Sequence, residues 1–276
     1  MAHVIDSSPL GQKTAYISEY DASLLFPIPR SESRATLGLA ESLPFYGRDI
    51  WTGYELSWLN ATGKPEVAVA EFSIPFDSQF IIESKSFKLY LNSLNQTKFS
   101  NWSQVEDVLV KDLSAAASAE VFVNLRRLQD KTALTMHDPA DAMCIDELDV
   151  AVENYHPDAS LLTADKNSIV SEYVYSNLLK SNCPVTGQPD WASLFIEYSG
   201  AKINHEDLLR YVISFREHQD FHEHCVERIF VDILNRCAPE HLSVYARYTR
   251  RGGLDINPFR STSKIAEPKV GRLLRQ

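Results

Sequence analysis

The sequence predicts an α+β fold built from two similar halves, and three observations predict it. Stretches that alternate apolar and polar residues come in pairs around turns bearing glycine and proline, the pattern of antiparallel hairpins. Each pair is followed by two stretches with apolar residues at helical spacing. The order strand, turn, strand, helix, helix then recurs. Thr62, Gly63, Lys64, Pro65, Glu66 matches Thr186, Gly187, Gln188, Pro189, Asp190, and Tyr90 to Leu94 matches Tyr211 to Phe215.

In chain order, Tyr20 to Arg30 reads as an extended arm in which Pro27 and Pro29 prevent regular structure. Trp51 to Leu59 and Glu66 to Ile74 form a hairpin about the turn at Asn60 to Pro65, and helices follow at Ser86 to Leu94 and Trp102 to Ala117. Val105, Val108, Leu109 and Leu113 share one face of the second helix, and Phe122 to Leu128 returns as a strand. Ile145 to Val152 is expected to pair as a strand before a break rich in Asp, Ala, Pro and Asn, so the boundary between modules 1–158 and 159–276 is placed near residue 158. Beyond it, Ser171 to Lys180 leads into a tight loop, Trp191 to Tyr198 alternates as a strand, and Glu206 to Phe215 and Phe221 to Cys237 have helical spacing. Cys225 and Cys237 fall on the apolar face of the last helix, and Ser243 to Thr249 is a strand ended by Arg250 to Gly253.

Composition narrows the function. A length of 276 residues with 44% hydrophobic content supports a substantial core. A net charge of −10 argues against a surface for the nucleic-acid backbone, so an anionic ligand needs a local basic pocket. Four cysteines without a CxxC pair point to a reduced, cytoplasmic protein. Met1 to Gly11 lacks the pattern of a signal peptide and no apolar run is long enough to cross a bilayer, so no membrane partner is expected. Neither GxGxxG nor GxxxxGK[ST] is present, which excludes a Rossmann turn or a P-loop as the nucleotide site.

Three groups of residues carry chemistry. Ser181 to Trp191 places the thiol of Cys183 and the carboxyl of Asp190 on one loop. There a thiolate is able to attack while an acid delivers a proton, although a structural cysteine beside a turn-forming aspartate fits the same residues. Phe215 to Cys225 concentrates Glu217, His218, Asp220, His222, Glu223 and His224. The plain alternative is capping by Asp220 with exposed histidines, and a zinc reading of His218, His222 and Cys225 lacks the HExxH order. Glu83 to Tyr90 is either an ordinary helix start or a carboxylate for paired N–H donors followed by Ser84 and Lys85 for phosphate. Arg247, Arg250 and Arg251 with Gly252 and Gly253 form either a charged strand end or an anion clamp.

Taken together, these motifs resemble the NADPH-dependent nitrile reductases that convert 7-cyano-7-deazaguanine to 7-aminomethyl-7-deazaguanine in queuosine biosynthesis. The stretch Glu83 to Tyr90 is similar to that family's signature helix. Ser181, Asn182, Cys183 with Gln188, Pro189, Asp190, and Phe221, His222, Glu223, are similar to its other motifs in their order. The similarity to the long, two-module branch extends over nearly the whole chain, including Tyr20 to Arg30 and Tyr245 to Pro258. The resemblance implies tandem tunnelling-fold modules, antiparallel sheets with helices packed on one face, with sites formed between modules. It implies Cys183 as nucleophile and Asp190 as proton donor, and Ile82, Glu83, Ser84, His222 and Glu223 as substrate contacts. It places Ser84, Lys85, Arg251 and Gly252 at NADPH, and no metal. A homo-oligomer, with a dimer favoured, is expected. A zinc-dependent cyclohydrolase-like enzyme of the same fold and a non-catalytic purine-binding module are the alternatives.

Overall fold

Side chains alternate across a strand and stack along a helix for local reasons, and most elements form where the sequence places them. In the computed structural model, which describes residues 17–39, 42–130, 136, 138–139 and 141–276, the chain divides into two compact units. The expectation for Met1 to Gly11 lies outside the described residues. One unit comprises Met1–Ala35, Asp49–Thr135 and Arg250–Asp255; the other comprises Thr36–Arg48, Met136–Thr249 and Ile256–Gln276.

In the first unit the expected irregular arm is corrected. Asp21 caps a 3-10 turn at Ala22–Leu24, then come a strand, β1 (Pro27–Pro29), and a helix, α1 (Arg30–Thr36), that the sequence reading did not foresee. The prolines are tolerated because β1 pairs with a short strand, β4 (Phe80–Ile82), through flanking residues. Glu83 N–H donates to Phe26 O and Arg30 N–H to Gln79 O, so neither proline has to donate. The hairpin of β2 (Tyr46–Leu59) and β3 (Pro65–Pro75) continues to β5 (Phe122–Arg126) in the order β5, β3, β2. Helices α2 (Ser84–Ser93) and α3 (Trp102–Ala117) bury Phe87, Tyr90, Val105, Leu109 and Leu113, with Trp51, Trp58 and Phe72 of the sheet also in the core. Val108 is half-buried.

The second unit has the order β10, β9, β8, β7, β6. Its long hairpin is β7 (Ala164–Asn182) and β8 (Pro189–Ile203), followed by α4 (His205–Ser214), α5 (His222–Cys237), β9 (His241–Tyr248) and β10 (Leu254–Ser261). The strand expected over Ile145 to Val152 does not form. Instead β6 is a two-residue parallel contact, Met143–Cys144, and Ile145 N–H makes one further bond to Tyr175 O. Asp146 then gives its carboxylate to the amide of Asn177 and the hydroxyl of Ser176, inside an irregularity of β7 that ends the pairing. Cys225 and Cys237 are buried, as their spacing requires. Strand β10 contains Pro258 and directly follows the Arg250 to Gly253 turn, so its local pattern does not mark it as a strand.

The two halves repeat in detail, which is the tandem architecture expected. β3 begins at Pro65 and β8 at Pro189, 124 positions later; α3 begins at Trp102 and α5 at His222, 120 positions later. The hydroxyl of Tyr90 donates to Asp112 at 2.8 Å, and that of Tyr211 to Asp232 at 2.7 Å. Both long helices end on a left-handed residue, Ser118 at φ 53° and Ala238 at φ 47°. A further echo escaped the sequence reading: Asp, Ala, Ser, Leu, Leu occurs at 21–25 and at 158–162, each aspartate capping a 3-10 turn through the serine. In the helical register, Trp102 and Ser103 stand where the second half has His222 and Glu223.

Candidate active site

In the second unit, the end of β7, the start of β8 and the start of α5 meet. Cys183 opens the connecting turn: its N–H donates to Gln188 O at 2.9 Å, and Gly187, at φ 65°, donates to Cys183 O at 3.0 Å. That positive φ is why glycine closes this turn. Asn182 fastens the turn to the chain entering α5, donating to His218 O at 2.8 Å and accepting from Asp220 N–H at 3.2 Å. Its side chain accepts from Lys180 Nζ at 2.7 Å and donates to Arg216 O at 3.3 Å. Cys183 is thus half-exposed on an anchored loop.

Asp190 is the second residue of β8, paired across the hairpin with Ser181, and only 4% exposed. Its Oδ2 lies 3.5 Å from Nε2 of His222, the first residue of α5. The imidazole lies flat on the ring of Tyr248, with centroids 3.7 Å apart and planes within 2°. His222 Nδ1 is buried with no hydrogen-bond partner among the described residues. Glu223 is buried in the first turn of α5, where the N-terminal end of the helix favours an anion. Burial pushes the Cys225 thiol and the Tyr248 phenol up, with Ser181 close to both.

The plain alternative of an Asp220 cap is overturned. Phe221 occupies the cap position without a side-chain bond, and the histidines are largely buried rather than exposed. Asp220 instead sits between two of them, 3.2 Å from His224 Nδ1 and 3.6 Å from His218 Nε2. Burial alone raises its carboxyl, but the hydrogen bonds and charges of the two imidazoles outweigh that and hold it well below the usual carboxylate range. Among the described residues no cluster of three or more His, Cys, Asp or Glu converges as a metal site.

In the first unit, Glu83 is the cap of α2 rather than a member of its first turn. It is fully buried, and its two oxygens accept from Lys85 N–H and Ser86 N–H, each at 2.7 Å. Burial pushes its carboxyl up, more than those bonds and the nearby Lys88 and Lys85 lower it. At the matching cap of α4, Asn204 suffices, accepting from Asp207 N–H at 3.1 Å. Ile82, also buried, precedes Glu83 at the end of β4. Arg251 to Leu254 closes a turn in which Gly252 has φ 59°; a Cβ there would come within 3.3 Å of the Lys88 side chain, so the glycine turn lies against α2. Ser84 and Lys85 on the first turn of α2 and Arg251 and Gly252 on this turn therefore belong to one basic neighbourhood. Arg250 stacks over Tyr54 at 4.6 Å. Arg247, considered with these arginines in the sequence, is in the other unit, buried and bonded to Gln276 and the Tyr245 hydroxyl.

The first unit contains a counterpart of the Cys183 turn that lacks the thiol. Asn60 N–H donates to Lys64 O and Gly63 N–H to Asn60 O, the same turn one residue shorter, so asparagine stands where the second unit has the thiol. Glu66 matches Asp190, and its Oε2 accepts from Trp102 Nε1 at 3.2 Å, the position held by His222. Arg127 covers the Trp102 ring at 4.3 Å as Tyr248 covers His222. Tyr248 has no signal in the sequence beyond its place at the end of an alternating strand.

Residues 16–125 match the family model described as nitrile reductase, 7-cyano-7-deazaguanine-reductase N-term, and residues 189–267 match the one described as QueF-like protein. Among curated relatives, the NADPH-dependent 7-cyano-7-deazaguanine reductase of Burkholderia multivorans is 57% identical over 98% of this chain and 99% of its own length. Those of Burkholderia cenocepacia and Chromobacterium violaceum are 56% and 57% identical over 98% of this chain, and 99% and 97% of theirs.

Proposed function

The chain belongs to the family of NADPH-dependent 7-cyano-7-deazaguanine reductases, and on that premise we propose that it reduces the nitrile of 7-cyano-7-deazaguanine to 7-aminomethyl-7-deazaguanine, in queuosine biosynthesis, through a covalent thioimide on Cys183. The observation that carries the covalent step is the buried Asp190–His222 pair at 3.5 Å on the strand that follows the anchored Cys183 turn.

In this reading the Cys183 sulfur bonds to the nitrile carbon while Asp190 gives a proton to the nitrogen, turning C≡N into a C=NH group joined to sulfur. The thiol proton passes to the Asp190–His222 pair, so charge balances. Asp190 and Glu223 are buried, so the proton is delivered from a site with little water around it. Glu83 or Glu223 accepts from the N–H edge of the base, and Glu83 has for this the second lone pair that each capping oxygen retains. Ile82 and Ser84 flank it, and His222 Nδ1 is free to meet a substrate atom.

The basic neighbourhood suits a phosphate-bearing cofactor. Gly252 has no side chain to hold phosphate away, and Ser84, Lys85 and Arg251 supply hydroxyl and cationic donors in a chain that is otherwise acidic. NADPH, when bound, supplies the hydride equivalents that reduction of the nitrile to a primary amine requires. A module boundary near residue 158, a homo-oligomeric state and a cytoplasmic location complete the proposal.

The test is intact-protein mass after incubation with 7-cyano-7-deazaguanine and no NADPH. A gain of one substrate mass that is absent in Cys183→Ala is expected; a wild-type protein that binds the base and never gains that mass refutes the covalent reading.

A further inference from the structure

We propose that Tyr248 is a positioning residue for this reaction: its ring fixes the His222 imidazole with Nε2 toward Asp190 and Nδ1 left open. The inference rests on the proposed function above for the reaction, and on geometry alone for the positioning.

Aromatic rings left to themselves prefer offset or edge-on contact. Tyr248 and His222 instead overlap nearly face to face, centroids 3.7 Å apart and planes within 2°. Such a sandwich suits an imidazole that becomes cationic, because the ring face is negative. Tyr248 is also held from behind. Its N–H donates to Asn257 Oδ1 at 3.2 Å and its carbonyl accepts from Gln276 Nε2 at 2.8 Å. Gln276 bonds Asn257 Oδ1 in turn at 2.9 Å and accepts from Arg247 Nε at 2.7 Å. Asn257, Gln276 and Arg247 are all buried. A buried, bonded support of this kind is how an aromatic platform keeps a catalytic ring from rotating.

The counterpart in the first unit points the same way. Tyr248 pairs with Ala192 on β8; Ala68, 124 positions before Ala192, faces Arg127 one step beyond the Val69–Arg126 pair. The same sheet position thus covers the first ring of the long helix in both units, by Arg127 over Trp102 and by Tyr248 over His222. Only where the covered ring titrates is the cover an aromatic. The titratable groups near His222 are Asp190 on β8, Tyr248 on β9, and Asp220, Glu223 and Cys225 on its own segment.

The experiment compares Tyr248→Phe, which keeps the ring, with Tyr248→Leu, which removes it. Tyr248→Leu is expected to lower kcat by about tenfold or more with KM changed by less than about threefold, and to move the pH profile, while Tyr248→Phe stays near wild type. Wild-type kcat and pH profile in a folded Tyr248→Leu protein overturn the proposal. A second readout needs neither substrate nor a Tyr248 variant. The His222 ring protons, assigned by loss of their signals in His222→Asn, are expected upfield of an ordinary histidine in the NMR spectrum of the wild-type protein. Their appearance at ordinary positions overturns the stacking even if Tyr248→Leu fails to fold. If the upfield shift is present and the cyano base gives no adduct, the proposed reaction has failed and the positioning stands.

Discussion

His222 Nε2 stands 3.5 Å from Asp190 Oδ2, and in the first half of the chain Trp102 Nε1 donates to Glu66 Oε2 at 3.2 Å in the same place. A ring nitrogen facing a strand carboxylate is thus a feature of the repeated module, with an imidazole in the second half where the first has an indole. Asp190→Asn keeps the shape and removes the acid. Turnover, followed by loss of NADPH absorbance, is expected to fall by about 10²–10⁴-fold, with the melting temperature little changed. Activity within about tenfold of wild type would remove Asp190 from the proton-transfer role.

The thiol position is duplicated but the thiol is not, since Asn60 occupies it and spends its side-chain oxygen on the amides of Thr62 and Lys64. Saturating cyano base without NADPH is therefore expected to add a single substrate mass per chain. Two additions, or one that survives Cys183→Ala, would mean that the reacting group lies elsewhere.

Glu83 caps α2 with a buried carboxyl where the matching cap of α4 is the neutral Asn204. Glu83→Asn is expected to keep α2 intact while raising KM for the base by tenfold or more, about the value of one lost charge-assisted hydrogen bond. Glu83→Ala is expected to lose in addition about 0.5–2 kcal/mol of stability as the cap disappears. The pH dependence has a definite sign. A carboxyl whose folded pKa is raised contributes stability fully below its unfolded value, about 4.3, and loses it as pH rises through the folded value. Thermal melts should therefore show wild type doing best against Glu83→Asn in acid and losing ground toward neutral pH. An advantage that grows with pH would contradict the burial cost.

Asp220 has the opposite sign. Its carboxyl is held down by His218 and His224, so its contribution is present above the unfolded value of about 3.9 and is lost as pH falls through the lower folded value. Asp220→Asn is expected to melt below wild type near pH 5–6, and the gap to close only in strong acid, beneath the ordinary carboxylate range. A gap that opens as pH falls below about 4 would refute the assignment. Because the Asp220 carboxylate holds His218, whose carbonyl accepts from Asn182 N–H at the foot of the Cys183 turn, the same variant is expected to slow adduct formation.

The sequence by itself determined most of the elements and the outline of their duplication. α3 spans the stretch its apolar spacing marks, Trp102–Ala117, and the turns at Gly63 and Gly187 fall between the expected strands, because helical and strand periodicity and turn chemistry are written in neighbouring residues. It also supplied the motifs that resemble the family to which the chain belongs. What needed the tertiary structure was every relation made by distant pairing. Pro27 and Pro29 became strand because β4 asks no amide of them, and Ile145 to Val152 did not because Asp146 closes the edge. Asp190 meets His222, and Tyr248 covers it, only through the register of β8 on β9 and the point where α5 begins. A one-residue slip in that register would put Tyr248 on the face opposite Asp190, and no local pattern fixes it.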